Sequence, residues 1–170
     1  MTEILKYCIP ALIVLLATWI VMYKLFQNEQ QKREWELKKA AQKEISPIRL
    51  RAYERLALVL ERTQPEHLLM DLDVSQFTVP QLQQRLLQTI RLEFDHNMSQ
   101  QIYVSEQVWD KIVAARGQML AFVSAMAMQL PAESTSLDYA KTLLTAYNTN
   151  GETANETALH ALKEEAAKLI

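Results

Sequence analysis

The densest run of side chains able to do chemistry is Glu93-Phe94-Asp95-His96-Asn97. Glu93 and His96 have the E-x-x-H spacing, i and i+3, by which helical bundles present a carboxylate and an imidazole from one helix face to a pair of metal ions. A di-metal site of that kind needs a second such pair and two further glutamates. The chain has no second copy, since Glu156 and His160 are four apart and Glu66 and His67 are adjacent. The expectation is a C-terminal helix end at which His96 and Asn97 are polar terminal residues, with no metal and no cofactor. A metal-binding protein using Glu93 and His96 stays as an alternative.

Arg51, Arg55 and Arg62, with Arg49 near the start, make an arginine row on the helix that the spacing predicts from Pro47 to about Arg62. Glu54 and Glu61 interleave with the row, so an ordinary solvated face is expected, the alternative being contact with anionic lipid or an acidic partner. Arg51, Arg55 and Arg62, together with Glu93, Asp95, His96 and Asn97, are the candidate interaction residues. The chain contains no G-x-x-x-x-G-K-[ST], no G-x-G-x-x-G, no G-x-S-x-G and no paired cysteines. Nucleotide, hydrolase and zinc chemistry therefore lack their minimum parts. His67, His96 and His160 fall on three different predicted helices. No enzyme and no small-molecule substrate is expected.

The elements that must position these residues are helical. With only 2 Gly and 5 Pro in 170 residues, and with Ala, Leu, Gln, Glu and Lys abundant, the fold class is all-α. The organising feature is the apolar run Tyr7 to Tyr23, YCIPALIVLLATWIVMY, bracketed by Lys6 and Lys24. With Leu25 and Phe26 it is long enough for a transmembrane helix. Lys24 can snorkel to the headgroups, and Tyr7, Trp19 and Tyr23 are amphipathic, the two tyrosines at interfacial depth. No small-residue cleavage site follows, so the run reads as a retained anchor rather than a signal. Cys8 reads as a buried apolar residue.

Lys and Arg counts set the orientation: Lys6 precedes the run, whereas Lys24, Lys32, Arg33, Lys38, Lys39 and Lys43 follow it within about twenty residues. The bulk of the chain is therefore expected in the cytoplasm, with the N-terminus outside. Residues 24–44 carry six bases and four acids, and residues 45–170 carry eleven bases and fifteen acids. A net-acidic domain is a poor nucleic-acid ligand, and none is expected.

Three parts follow: an anchor over 1–26, a charged helical stalk over 27–45 and a helical cytoplasmic domain over 46–170. In the stalk, Glu29 with Arg33 and Glu34 with Lys38 are favourable i,i+4 pairs. Leu37, Ala41, Ile45 and Ile48 hint at an apolar seam that could serve self-association. Ser46-Pro47 reads as a break and restart, with Ser as N-cap and Pro at N1. The restarted helix has a stripe of Leu50, Tyr53, Ala57 and Leu60, widened by Leu56 and Val59. Thr63-Gln64-Pro65-Glu66 reads as a capping box opening a short helix to Leu72, and Thr78-Val79-Pro80-Gln81 as a second box opening a helix striped by Leu82, Leu86, Ile90 and Phe94. Ser99 to Val104 reads as an extended connector. Ser105 caps a helix ending at Pro131, with Val108, Trp109, Ile112, Val113, Met119, Leu120, Val123 and Leu130 on its apolar face and its half from Met119 to Met128 buried. Two shorter helices follow, Ser136 to Tyr147 and Ala154 to Ile170. Thr153 with Glu156 boxes the latter, whose thin stripe of Ala158, Leu159, Leu162, Ala166 and Leu169 predicts weak docking.

The stretches SPIRLRAYERLALVLER (Ser46 to Arg62) and IRLEFDHNMSQQIYVSEQVWDKI (Ile90 to Ile112) resemble a family of uncharacterised single-pass membrane proteins of Bacteroidota-type bacteria. That resemblance covers nearly the whole chain and implies an inner-membrane protein with a cytoplasmic helical domain. It implies no activity and no site residues. The anchor and stalk are also similar, less closely, to the b-type stator subunit of rotary ATP synthases. The expected role is a scaffold or accessory subunit of a membrane complex whose partners are the lipid bilayer and another protein or a second copy; a stator-like, self-associating stalk is the alternative.

Overall fold

The computed structural model describes the backbone of residues 2–149 and 151–168, with side chains over that range except at 2–14, 17, 34, 38 and 40–44. Among the described residues all regular structure is helical: α1 (Thr2–Arg62), α2 (Pro65–Met70), α3 (Val79–Asn97), α4 (Glu106–Met128), α5 (Ser136–Thr149) and α6 (Ala154–Ala167), with 3-10 turns at Val74–Gln76 and Met98–Tyr103. The chain divides into two compact units, Met1–Ser46 and Pro47–Ile170.

In the first unit, Leu15, Leu16, Trp19, Ile20, Val21, Met22, Tyr23, Leu25 and Phe26 are all exposed. Among the described residues, no helix is long and apolar enough to cross a membrane. Tyr7, Lys6 and Cys8 lie outside the described side chains, as do Ala41 and the Glu34–Lys38 pair. The other expected stalk pair forms, with Arg33 Nη2 3.1 Å from Glu29 Oε1. Trp35 and Leu37 stand exposed, and the Lys39 ammonium lies 4.8 Å from the centre of the Trp35 ring.

The restart expected at Ser46-Pro47 does not occur, because α1 is helical straight through both residues. Proline removes one backbone donor, but its fixed φ suits a helix. Strong helix formers on both sides, and the burial of Ala52, Tyr53 and Leu56 soon after, carry the helix past the lost bond.

The second unit is a helical bundle with one core. α4 lies against α3, α5 and α6, and α5 also lies against α2. The α3 stripe Leu82, Leu86, Ile90 and Phe94 is buried in full, and α4 buries Val108, Ile112, Ala115, Met119 and Val123. The register of α1 differs from the expected stripe. Ala52, Tyr53, Leu56, Val59 and Leu60 are inside, while Leu50 is 48 % exposed. Val113 is likewise 47 % exposed, and Met128, at 85 %, shows that the distal half of α4 keeps an open side. An apolar segment offers several faces, and its neighbours choose which one is covered.

The capping signals divide cleanly. Thr78 and Gln81 form a reciprocal box, as do Thr153 and Glu156, and the Ser105 hydroxyl accepts from the Val108 amide. Thr63 caps nothing ahead of it. Its buried hydroxyl donates back to the Val59 carbonyl at 2.8 Å, and α2 starts from Gln64 with no side-chain cap. The Val59 carbonyl also accepts from the Thr63 amide at 3.1 Å, so the hydroxyl is a second donor on the last turn of α1, as buried threonine hydroxyls commonly are. Thr78→Ala is therefore expected to destabilise the bundle by about 1 kcal/mol, with Thr78→Asp recovering most of it. Urea unfolding followed by circular dichroism reads the difference, and an unchanged midpoint in Thr78→Ala would contradict it.

The expected extended connector is a 3-10 turn over Met98–Tyr103, and only Val104 and Ser105 have extended backbone. With no strand beside it, an extended segment would leave its amides unpaired, whereas the turn satisfies them locally. The last helix docks firmly rather than weakly. Ala158, Ala161 and Leu162 are buried on the side of α6 that meets α4. Small side chains on α6, with Ala115 on α4, let the two backbones approach closely. Asn155, 2 % exposed, donates from Nδ2 to the Leu60 carbonyl of α1 at 2.7 Å. Leu169 lies outside the described residues.

Candidate functional site

Two polar constellations stand out in the second unit. The first joins α1, the start of α4 and α6 around one carboxylate. Glu165 Oε1 accepts from the Tyr53 hydroxyl at 2.8 Å and from the Ser105 amide at 2.9 Å, and Oε2 accepts from the Ser105 hydroxyl. Arg49 completes it: Nη2 donates to the Tyr53 oxygen at 2.7 Å and lies 3.6 Å from Glu165, while Nε donates to the Tyr103 carbonyl at 3.1 Å.

Burial pushes the Glu165 carboxyl up, but the hydrogen bonds from Ser105 and Tyr53, with the Arg49 charge, outweigh it and leave the group below the usual glutamate range. Tyr53 is pushed up by burial first and then by the hydrogen bond and charge of Glu165, against the opposing pull of Arg49. Every polar group in this cluster is committed to another. Its chemistry is that of a clasp, holding three helices in register, and it presents no free nucleophile or base.

The second is a groove of about 440 Å³ bounded by the end of α1, by α2 and by α3. Arg62 is the last residue of α1. His67, Leu68 and Met70 come from α2, with Asp71 and Leu72 just beyond it, and Arg85, Thr89 and Glu93 line it from successive turns of α3. Thr89 turns its hydroxyl to its own helix, donating to the Arg85 carbonyl at 3.0 Å. Among the described residues the ion pairs of this unit are Arg49–Glu165 and Arg116–Asp95, with the His160 imidazole 3.7 Å from Glu164, so none of the five charged or titratable groups lining the groove is spent on another.

The residues singled out in sequence are dispersed by this geometry. Glu93 lines the groove with Arg62, a residue of another helix that no spacing along the chain pairs with it. Asp95 reaches across to Arg116 at 3.3 Å, and the same guanidinium lies 5.8 Å from the Phe94 ring centre. The Arg116 Nε is buried without a partner. Asn97 donates to the Glu93 carbonyl at 2.8 Å, closing the end of α3, and His96 is exposed. Among the described residues no group of three or more His, Cys, Asp or Glu could hold a metal ion.

Arg51 and Arg55 are exposed on α1, as expected of a solvated face, but Arg49 leaves that row for the clasp. Trp19, Tyr23 and Lys24 are exposed on the first unit, and the Tyr23 hydroxyl accepts from Gln27 at 2.9 Å. Arg49, Glu165 and Arg85 enter the two constellations without any local motif, and Ser105 carries only the motif of a helix cap. Apart from the Arg49–Tyr53 bond at i,i+4, the clasp contacts join residues 54 to 116 positions apart, beyond any spacing a sequence reading can use.

No curated protein and no solved structure matches the chain. A family of unknown function, DUF7935, matches residues 1–169, in agreement with the resemblance to an uncharacterised family. The chain therefore belongs to that family.

Proposed function

We propose that this protein is a membrane-anchored helical scaffold or accessory subunit, held in the inner membrane of a bacterium by the Tyr7 to Tyr23 run. The N-terminus faces outward, and the helical domain works in the cytoplasm through protein contacts. One observation carries this reading. The consecutive residues Trp19, Ile20, Val21, Met22 and Tyr23 are all exposed, at 49 % or more, and at about 100° per residue they point to every side of α1. A helix apolar all round belongs in a protein core or in lipid, and the described part of this chain does not cover it. Lys24 follows the run as an interfacial residue, and the domain's committed clasp suits a structural part.

Alkaline carbonate washing of membranes from cells expressing the full chain tests it. The protein is expected to stay in the pellet, and Leu15→Asp with Leu16→Asp should release it, since a carboxylate near mid-bilayer costs about 2.5–3.5 kcal/mol. Extraction of the unaltered protein by carbonate would overturn the reading. Digestion of the C-terminus only from the periplasmic side would overturn the orientation.

A second reading, a self-associating stalk, is favoured by the exposure of Leu37, Ile45 and Ile48 at 70 %, 51 % and 51 %. It predicts that a fragment truncated after Ile48, which keeps all three, still associates.

A further inference from the structure

We infer that the groove between α1, α2 and α3 binds a small zwitterion, with a phosphate or carboxylate at one end and an ammonium at the other. The inference does not depend on the membrane reading, because every residue it uses lies in the second unit.

The groove carries both signs of charge. Arg62 and Arg85 contribute two guanidinium groups and His67 an imidazole, while Asp71 and Glu93 contribute two carboxylates. Elsewhere in this unit Arg116 pairs with Asp95 and Arg49 with Glu165. In the groove the acids and bases do not pair, although one concavity contains all five. Three helices hold them at separate points: Arg62 at the end of α1, His67 and Asp71 about α2, and Arg85 and Glu93 two turns apart on α3.

Arg85 and Glu93 are eight residues apart, about 12 Å along the helix axis, so they cannot neutralise each other directly. A ligand that bridges them can satisfy both. Guanidinium groups present planar forks that match the paired oxygens of a phosphate or carboxylate. A carboxylate accepts the hydrogen bonds of an ammonium. The volume, about 440 Å³, is within the range of small-molecule sites, of about 300–1,000 Å³. A ligand with only negative charge would meet Asp71 and Glu93, and one with only positive charge would meet the arginines. The lining therefore selects against both and for a molecule carrying the two charges.

The same chemistry occurs in free phosphoamines and amino acids and in the headgroups of aminophospholipids. O-phosphoethanolamine probes the free form, and vesicles with and without phosphatidylethanolamine probe the lipid form. Full-length protein in detergent micelles, labelled on its methionine methyl groups, supplies the readout. Met70 lines the groove, and Met128, 85 % exposed on α4, is outside its lining. O-phosphoethanolamine is expected to shift the Met70 signal and leave Met128 unmoved, binding about tenfold or more tightly than inorganic phosphate or ethanolamine alone.

Arg62→Gln with Arg85→Gln should weaken that binding by about tenfold or more, and Glu93→Gln should reduce it to the level of phosphate. The methionine spectrum itself shows whether each variant is folded. A Met70 shift with free O-phosphoethanolamine supports a soluble ligand, and a shift only with vesicles containing the aminophospholipid supports a headgroup. The inference is overturned if neither source shifts Met70 at about 10 mM, if phosphate alone binds as tightly, or if the arginine and glutamate variants bind unchanged.

Discussion

Leu56→Ala is expected to lower the stability of the bundle by about 2–5 kcal/mol, whereas Leu50→Ala, the same chemical change six residues earlier on α1, should cost under about 0.5 kcal/mol. The difference arises from burial alone. Leu56 is 1 % exposed, in the core cluster with Tyr53, Val59 and Leu60, so truncating it loses contacts and leaves a cavity. Leu50 is 48 % exposed and loses little that water had not already reached. Urea unfolding of the two variants side by side decides which face of α1 is inside. Equal losses would restore the stripe read from sequence, in which Leu50 and Leu60 share the covered face.

The second large effect is at the clasp. Glu165→Ala removes the acceptor for the Tyr53 hydroxyl and for both polar groups of Ser105, and it leaves the Arg49 charge without its carboxylate. Hydrogen bonds to a charged acceptor contribute about 1.5–3 kcal/mol each before their partners find water. Arg49 is about one-third exposed and regains some solvation, so a net loss of about 2–3 kcal/mol is expected. Glu165→Gln keeps one acceptor oxygen and should lose less. If Glu165→Ala were as stable as the parent protein, the clasp would contribute nothing to the register of α6.

The clasp also makes stability depend on pH in a defined direction. The Glu165 carboxyl is held below its ordinary range in the folded protein, so its contribution is complete above the unfolded value, about 4.3, and is lost as pH falls through the folded value. Glu156, Asp73 and Asp138 are lowered by hydrogen bonds from Thr153, from Ser75 and Gln76, and from Thr135 respectively, and act in the same direction. The unfolding midpoint should therefore fall below about pH 4.5, and Glu165→Ala should flatten part of that fall. A midpoint that rose on acidification would contradict the assignment.

Much of the fold was determined by the sequence alone, wherever the physics is local. The helical class follows from composition, and the boxes at Thr78–Gln81 and Thr153–Glu156 and the Ser105 cap follow from side chains three residues from the amides they serve. The stripe Leu82, Leu86, Ile90 and Phe94 was legible because it is the one clear apolar face on α3. Where a segment offered more than one apolar face, or where a partner lay far along the chain, only the tertiary structure could decide. It turned α1 so that Leu56 rather than Leu50 is covered, and it drew Thr63 back to the Val59 carbonyl.

It also took Arg49 out of the arginine row to meet Glu165 and gave the small residues of α6 a close neighbour in α4. The Glu93 to Asn97 run, the most chemically suggestive in the sequence, became three separate structural roles. Glu93 went to the groove beside Arg62, Asp95 to Arg116, and Asn97 to the end of its own helix. Spacing along a chain fixes which side chains share a helix face. Which of them share a site depends on the other helices that pack there.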